Sequence, residues 1–283
     1  RRLGGRAVLG LRDIIDEPQC VLEEWCPHKM QQRMEEFYDE VLIYGHRSVF
    51  DPISAYEFPA KLAQRTRFCG YVANTERPED LDDFKLPLPP RDDRVRPVVL
   101  ATAGGGEDGF ALLETFTRAA AGAPWQGVVV TGPMTPESEF NSLKCLAAAG
   151  NVTIRNFIPH LSGLFWSVDA VVCMGGYNTL VETASRGVPT VCVPRVAPRS
   201  EQLLRALAFA RLGFLRLVHP DRLSAATLRQ ELDAALQMSC PDLLARAQKE
   251  LSFDGARQAS SRLLAHASAS CLVASLHTER VAS

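Results

Sequence analysis

Apolar residues recur in short, nearly continuous runs along the central stretch of the chain. They read Pro97-Val-Val-Leu-Ala-Thr102, Gly127-Val-Val-Val-Thr131, Val152-Thr-Ile-Arg-Asn-Phe157, Asp169 to Met174, Thr190 to Val193 and Phe214 to Val218. Runs of this length, apolar at every position, fit parallel strands covered on both faces. The segments between them change to a helical period, near 108–121, 137–149, 159–167, 178–186 and 200–212. Strands alternating with helices predict an α/β fold with a doubly wound parallel sheet. Residues 1–72 repeat the alternation on a smaller scale: strands at Ala7 to Leu11, Glu40 to Tyr44 and Thr66 to Tyr71, with a helix over 20–37.

Between these two patterns, residues 73–96 are charged and proline-rich and read as a linker. The expected organisation is a partial first domain over 1–72, the linker, a second domain over 97–252, and a helix with a tail over 253–283. Leucines at helical spacing continue through 222–268. From about Ser268 the Ala- and Ser-rich end is expected to fray. The chain starts at Arg1, close to a strand, which reads as a fragment with its upstream part missing.

Composition narrows the partners. Over 283 residues the net charge is -2, so no bulk basic field draws nucleic acid. No apolar run reaches the ~20 residues that span a bilayer. The eight cysteines form no C-x-x-C pair, and Cys173 and Cys192 sit inside strand patterns as small hydrophobes. A reducing, cytoplasmic setting is the simplest reading. The six histidines lack metal-ligand spacing, so no metal is expected.

The candidate chemistry lies where strands end. Asp169 to Met174 runs into Gly175-Gly-Tyr-Asn-Thr179 and a helix bearing Glu182. A helix opened by glycines leaves N–H groups and a dipole for an anion. The plainer alternative for Glu182 is a capping box, because Thr179-Leu-Val-Glu182 has that spacing; Thr183, Ser185 and Arg186 are then expected at the surface. A second glycine cluster is Gly104-Gly-Gly106. It is neither a Walker A loop nor a dinucleotide fingerprint, and reads as a phosphate or sugar cradle or as a tight turn with Glu107 and Asp108 in the helix's first turn. Phe157 and Ile158 could pack on a nucleobase, or simply end a strand. Glu201 and Gln202 could bond sugar hydroxyls, or simply open a helix capped by Ser200. Asp13 or Asp16 could serve as a general base, whereas the bland reading pairs Arg12 with Asp13.

Taken in order, the glycine loop, N-F-I-P, D-A-V-V-C-M-G-G-Y-N-T-L-V-E, G-V-P-T-V-C-V-P-R and E-Q resemble the carboxyl-terminal domain of glycosyltransferase family 28, which includes the lipid-linked peptidoglycan N-acetylglucosaminyltransferase. The V-L-G-L-R-D-I-I-D-E-P and Y-D-E-V-L-I-Y-G stretches are similar to a branch of predicted bacterial glycosyltransferases. The resemblance spans residue 6 to about 265.

It implies a GT-B fold of two Rossmann-like domains, the first incomplete in this chain. It also implies an inverting, metal-independent hexosyl transfer from a nucleotide sugar, UDP-linked, to a glycan, lipid-linked or small-molecule acceptor. No cofactor and no nucleic acid are implied, and peripheral membrane contact stays open. By resemblance, Glu182 meets the donor ribose, Ile158 the uracil, Gly175, Gly176 and Tyr177 the diphosphate, and Gln202 with Glu201 the donor sugar. Asn178, Thr179 and the three glycines at 104–106 complete the donor site, and Asp13 is the base available in this fragment. Relatives carry a glutamine pair where Glu201-Gln202 stands, and an arginine after the interdomain strand that has no match here, so one diphosphate contact is either lost or replaced by Arg77. A sugar-nucleotide epimerase of the same fold and a non-catalytic nucleotide-binding subunit are the alternatives.

Overall fold

A computed structural model describes residues 5–74, 94–148 and 150–281, with side chains as far as 268. Residues 75–93, which hold Arg77 and most of the expected linker, lie outside the described residues. The chain divides into two compact units, residues 1–73 with 251–283, and residues 74–250.

The first unit carries three parallel strands, β1 (Val8–Arg12), β2 (Glu40–Tyr44) and β3 (Thr66–Phe68), in that order. The central β2 buries Val41, Leu42 and Ile43. Two helices, α1 (Pro18–Trp25) and α2 (Met30–Phe37), link β1 to β2. A single helix over 20–37 was expected. Pro27 has no N–H to continue the ladder, and Lys29 takes a left-handed φ of 49°. The helix therefore stops and restarts. Val21 and Trp25 of α1 and Met34 of α2 pack with Val41, Tyr56, Phe58 and Leu62, and the Trp25 and Tyr56 rings meet edge-on at 5.6 Å. Two short helices follow, α3 (Pro52–Ala55) and α4 (Ala60–Gln64).

The return of the chain into this unit is built on backbone. Tyr71 donates to the Ser252 carbonyl at 2.8 Å, and Gly255 donates to the Tyr71 carbonyl at 2.9 Å. The last helix, which runs Gly255–Val281, brings Arg262 and His266 onto Glu40. Arg262 Nε donates to Glu40 Oε1 at 3.0 Å, and His266 Nε2 lies 2.8 Å from Oε2. The Ala- and Ser-rich end, expected to fray from about Ser268, is part of this helix. No proline or glycine follows Gly255, and alanine is the best helix former, so the helix continues to Val281.

Glu40 is 3% exposed. Burial works against its charge, but the hydrogen bonds and charges of Arg262 and His266 outweigh it and lower its pKa below 4.5. A carboxylate whose folded pKa is depressed stabilises above its unfolded pKa and loses that contribution as pH falls through the folded one. Melting temperature is therefore expected to fall as the pH drops below the ordinary glutamate range, and Glu40→Gln should flatten that limb. An unchanged acid limb in the variant would remove Glu40 from the account.

The second unit is a six-stranded parallel sheet. Its strands are β4 (Val98–Thr102), β5 (Gln126–Val130), β6 (Val152–Arg155), β7 (Ala170–Cys173), β8 (Thr190–Cys192) and β9 (Arg216–Leu217). Their spatial order is β6-β5-β4-β7-β8-β9. The chain therefore winds outward one way from β4 to β6, then crosses back to place β7 on the other side of β4. At that switch two adjacent loops leave in opposite directions and open a crevice at the carboxyl ends of the strands.

Helices cover the faces: α5 (Phe110–Ala120), α6 (Glu137–Ala147), α7 (Tyr177–Arg186), α8 (Glu201–Arg211), α9 (Ala225–Ala235) and α10 (Cys240–Glu250). Leu113 and Phe116 of α5 sink against Trp125, whose ring stacks on Phe116 at 5.4 Å. Each large side chain buried in this way contributes about 1.5–3 kcal/mol. The helix expected at 159–167 is a 3₁₀ segment, Leu161–Trp166, entered through His160 at φ 51°. The last strand keeps only Arg216–Leu217 of the predicted run, with Phe214 and Val218 buried on either side.

Candidate functional site

The crevice at the switch point holds a cavity of about 220 Å³. Its lining includes Thr102, Gly104, Gly105 and Gly106 after β4, Gly176 and Thr179 at the start of α7, and Arg195 and Gln202 after β8. Segments more than seventy residues apart in sequence thus meet because β4, β7 and β8 are neighbours in the sheet.

The β4 loop is shaped by its glycines. Gly104 and Gly106 take φ of 67° and 98°. A Cβ placed on Gly104 or Gly105 would meet nothing within 4 Å, so bare backbone faces the open side. From behind, the loop is held by the segment after β5: Met134 donates to the Gly105 carbonyl at 2.9 Å, and Thr135 Oγ1 donates to that of Gly106 at 3.3 Å. Glu107 and Asp108 do not join the first turn of α5 as expected, because that helix starts at Phe110 with Gly109 as N-cap.

Helix α7 begins at Tyr177 after Gly176, and no side chain caps it. Its first N–H groups and its dipole are turned to the cavity side by the Gly175-Gly176 turn. This start corrects the capping-box reading. Thr179 is the third helical residue, so Glu182 lies in the second turn and cannot bond an N-cap N–H. Glu182 is half-buried, and burial raises its carboxyl pKa, with Arg186 pulling the other way. Thr183 and Arg186, expected at the surface, are 2% and 5% exposed. Arg186 Nη2 donates to the Asn74 carbonyl at 2.7 Å, and its guanidinium lies 5.4 Å from the Trp166 ring.

Two arginines escaped the sequence reading. Arg205 is 2% exposed; it donates to the Gly175 carbonyl at 3.1 Å and lies 5.7 Å over the Tyr177 ring. A fixed cation thus backs the glycine turn. Tyr177 is itself buried, so it braces the turn rather than lining the cavity. The available signal was position: Arg205 shares the inward face of α8 with Phe209, where a charge needs a buried task.

Arg195 is the second. Its Nη1 donates to Asp108 Oδ2 at 2.9 Å, its Nη2 to Glu201 Oε1 at 2.8 Å, and its backbone N–H to Gln202 Oε1 at 3.3 Å. Partial burial works against its charge, but the two carboxylates outweigh it and raise its pKa. Ser200 precedes α8 without the expected capping bond.

Other expected residues stand elsewhere. Ile158 is buried and Phe157 is 60% exposed, beyond the end of the edge strand β6 and outside the cavity lining. Asn178 is exposed one residue into α7. Asp13, at the end of β1 in the first unit, is 1% exposed. It accepts from Ile14 N at 2.8 Å through Oδ1 and from the Tyr71 hydroxyl at 3.3 Å through Oδ2. Those bonds hold the carboxylate in place at the end of β1. Asp16 is buried too, and the Tyr56 hydroxyl donates to its carbonyl at 3.0 Å. Cys173 and Cys192 face each other on β7 and β8, and burial holds the Cys192 thiol well above its usual pKa. Among the described residues no three His, Cys, Asp or Glu side chains group as a metal site, and no helix is long and apolar enough to cross a membrane.

The model of the glycosyltransferase family 28 C-terminal domain matches residues 111–263, more than half of the chain. The chain belongs to glycosyltransferase family 28. Its solved neighbours share the fold. The calicheamicin glycosyltransferase CalG4 superposes with a TM-score of 0.57 at 18% identity, over 88% of this chain and 58% of that one. VinC, solved in complex with dTDP, gives 0.56 at 20%, over 87% and 58%. MurG of Acinetobacter baumannii gives 0.50 at 16%, over 87% and 94%. The fold is GT-B, with an incomplete first domain. This family 28 chain spans about 58% of CalG4 and of VinC. The family match covers α5 to α10, the elements that surround the α7 turn, Glu182 and the Glu201-Gln202 pair.

Proposed function

We propose that this chain is the donor-binding part of a glycosyltransferase that moves a sugar from a UDP-linked nucleotide sugar to an acceptor hydroxyl, with inversion and without a metal. One observation carries the reading. The Gly104–Gly106 loop, the uncapped start of α7 and Gln202 line a single cavity at the strand-order switch.

The chemistry follows from the parts. A departing nucleoside diphosphate gains negative charge as the glycosidic bond breaks. Backbone N–H groups and a helix N-terminus, already oriented, stabilise that charge without reorganising. Arg205 adds a buried cation behind the turn. Glu182, in the second turn of α7, supplies a carboxylate for the ribose hydroxyls, and Gln202 with Glu201 meets the sugar. Phe157 and Ile158 offer an apolar edge for the base. Holding donor and acceptor in line supplies much of the remaining acceleration. The acceptor hydroxyl needs a base, and Asp13 is the candidate this chain offers.

A thermal-shift screen of UDP, GDP and dTDP with their sugars tests the reading. A raised melting temperature with UDP and UDP-sugars is expected. A response to none of the three nucleotides would sink it.

A further inference from the structure

The Gly175-Gly176 peptide has two ways to face the cavity. A peptide plane turns over when ψ of one residue and φ of the next rotate together, and glycine on both sides removes the Cβ atoms that would resist it. One orientation presents the Gly176 N–H to the cavity that Gly176 lines, and the other presents the Gly175 carbonyl. In a trans peptide these two groups point opposite ways, so whatever holds one aims the other.

Arg205 holds the carbonyl. Its Nη1 donates to the Gly175 oxygen at 3.1 Å from the inward face of α8. Arg205 is 2% exposed and does not line the cavity, so the carbonyl is drawn to the protein side. Among the described residues the Gly176 N–H has no acceptor. Gly175 itself holds φ 91°, and a Cβ there would meet Cys192 Sγ at 3.1 Å and the Gln202 carbonyl oxygen at 3.2 Å. The turn is thus packed from behind on β8 and α8, and its peptide plane is set by one side chain.

We propose that Arg205 is the positioning residue of the diphosphate subsite: it selects the orientation of the Gly175-Gly176 peptide that aims the Gly176 N–H at the leaving diphosphate. The inference rests on the nucleotide-sugar reading above. A carbonyl oxygen turned inward would set a partial negative charge against the phosphates. An N–H turned inward adds one fixed donor to those at the start of α7. The guanidinium acts through the peptide it holds, since it has no opening of its own to the ligand.

Amide NMR and calorimetry with UDP and with uridine, which lacks the phosphates, separate this role from a structural one. In the wild type the Gly176 amide proton should move downfield as UDP saturates the site and stay in place with uridine. Arg205→Met should weaken UDP binding by about tenfold, the worth of one hydrogen bond to a charged group, and leave uridine affinity unchanged. Arg205→Lys keeps a donor for the Gly175 carbonyl and should recover most of that loss.

A wild-type Gly176 amide that ignores bound UDP would overturn the proposal, whether or not either variant folds. Equal losses for UDP and uridine in Arg205→Met would make Arg205 a structural prop and do the same. A folded Arg205→Lys that binds UDP no better than Arg205→Met would also overturn it. So would an Arg205→Met whose Gly176 amide still shifts with UDP as in the wild type, because the loss would then belong to the charge. A wild type that binds no nucleotide overturns the donor reading beneath it instead.

Discussion

Glu182→Ala is expected to weaken UDP binding by about 10- to 100-fold, the loss of roughly 1.5–3 kcal/mol for hydrogen bonds to an ionised group. The fold should not suffer. Glu182 is in the second turn of α7, away from any cap, so its removal costs the helix nothing at its end. Burial raises its folded pKa. A carboxyl whose folded pKa is raised opposes folding once the pH exceeds the unfolded pKa, because the native state then prefers the neutral form. Near neutral pH the melting temperature of the variant should hold or rise. Calorimetry and thermal unfolding together decide the matter: unchanged UDP affinity would remove Glu182 from the site whatever the melting temperature does. The same raised pKa implies that UDP affinity in the wild type falls on acidification sooner than an ordinary glutamate would make it.

Gly132→Ala is expected to cost about 3 kcal/mol or more and to abolish nucleotide binding, through backbone strain and a forced displacement. Gly132 follows β5 and takes φ 106°, a region that L side chains rarely adopt. Its Cβ would lie 2.5 Å from the Gly104 carbonyl oxygen and from the Gly105 backbone. Backbone cannot yield as a flexible side chain can, so the glycine loop itself has to move. For a unit of this size the melting temperature should drop by roughly 6–12 °C. A variant that melts normally and binds UDP normally would show that the loop geometry does not matter to the ligand. Gly105→Ala is the control. Its Cβ would meet nothing within 4 Å, so the fold should tolerate it, and any loss is a loss at the ligand face.

The two residues illustrate different degrees of legibility. Glu182 is visible in sequence, because the glycine turn, the helix and the acid are contiguous. What the capping-box spacing misplaced was the N-cap: Gly176 rather than Thr179 holds that position, which turns a capping pair into two positions inside the helix. The bracing of the glycine loop by Gly132 and Met134 was not visible at all. It depends on β5 lying beside β4, a pairing that brings residues 105 and 134 together.

Arg195 and Arg205 make the same point for charge. Arg195 stands in the stretch that suggested a sugar contact and Arg205 three residues beyond it, yet neither was singled out. A side chain's partners 30 and 87 residues away, Gly175 for Arg205 and Asp108 for Arg195, are set only when the sheet order is known. Glu40 is similar: its partners Arg262 and His266 come from the last helix, 222 and 226 residues on.

By itself the sequence determined the α/β class, most strand positions of the second unit and the glycine turns at strand ends. These follow from local physics: runs of apolar residues must be covered, and glycine alone enters left-handed backbone without strain. Which loops share a cavity was decided by the tertiary structure. The order β6-β5-β4-β7-β8-β9 sets β7 beside β4, and that adjacency, through backbone hydrogen bonds between strands distant in the chain, brings the Gly104–Gly106 loop to the start of α7.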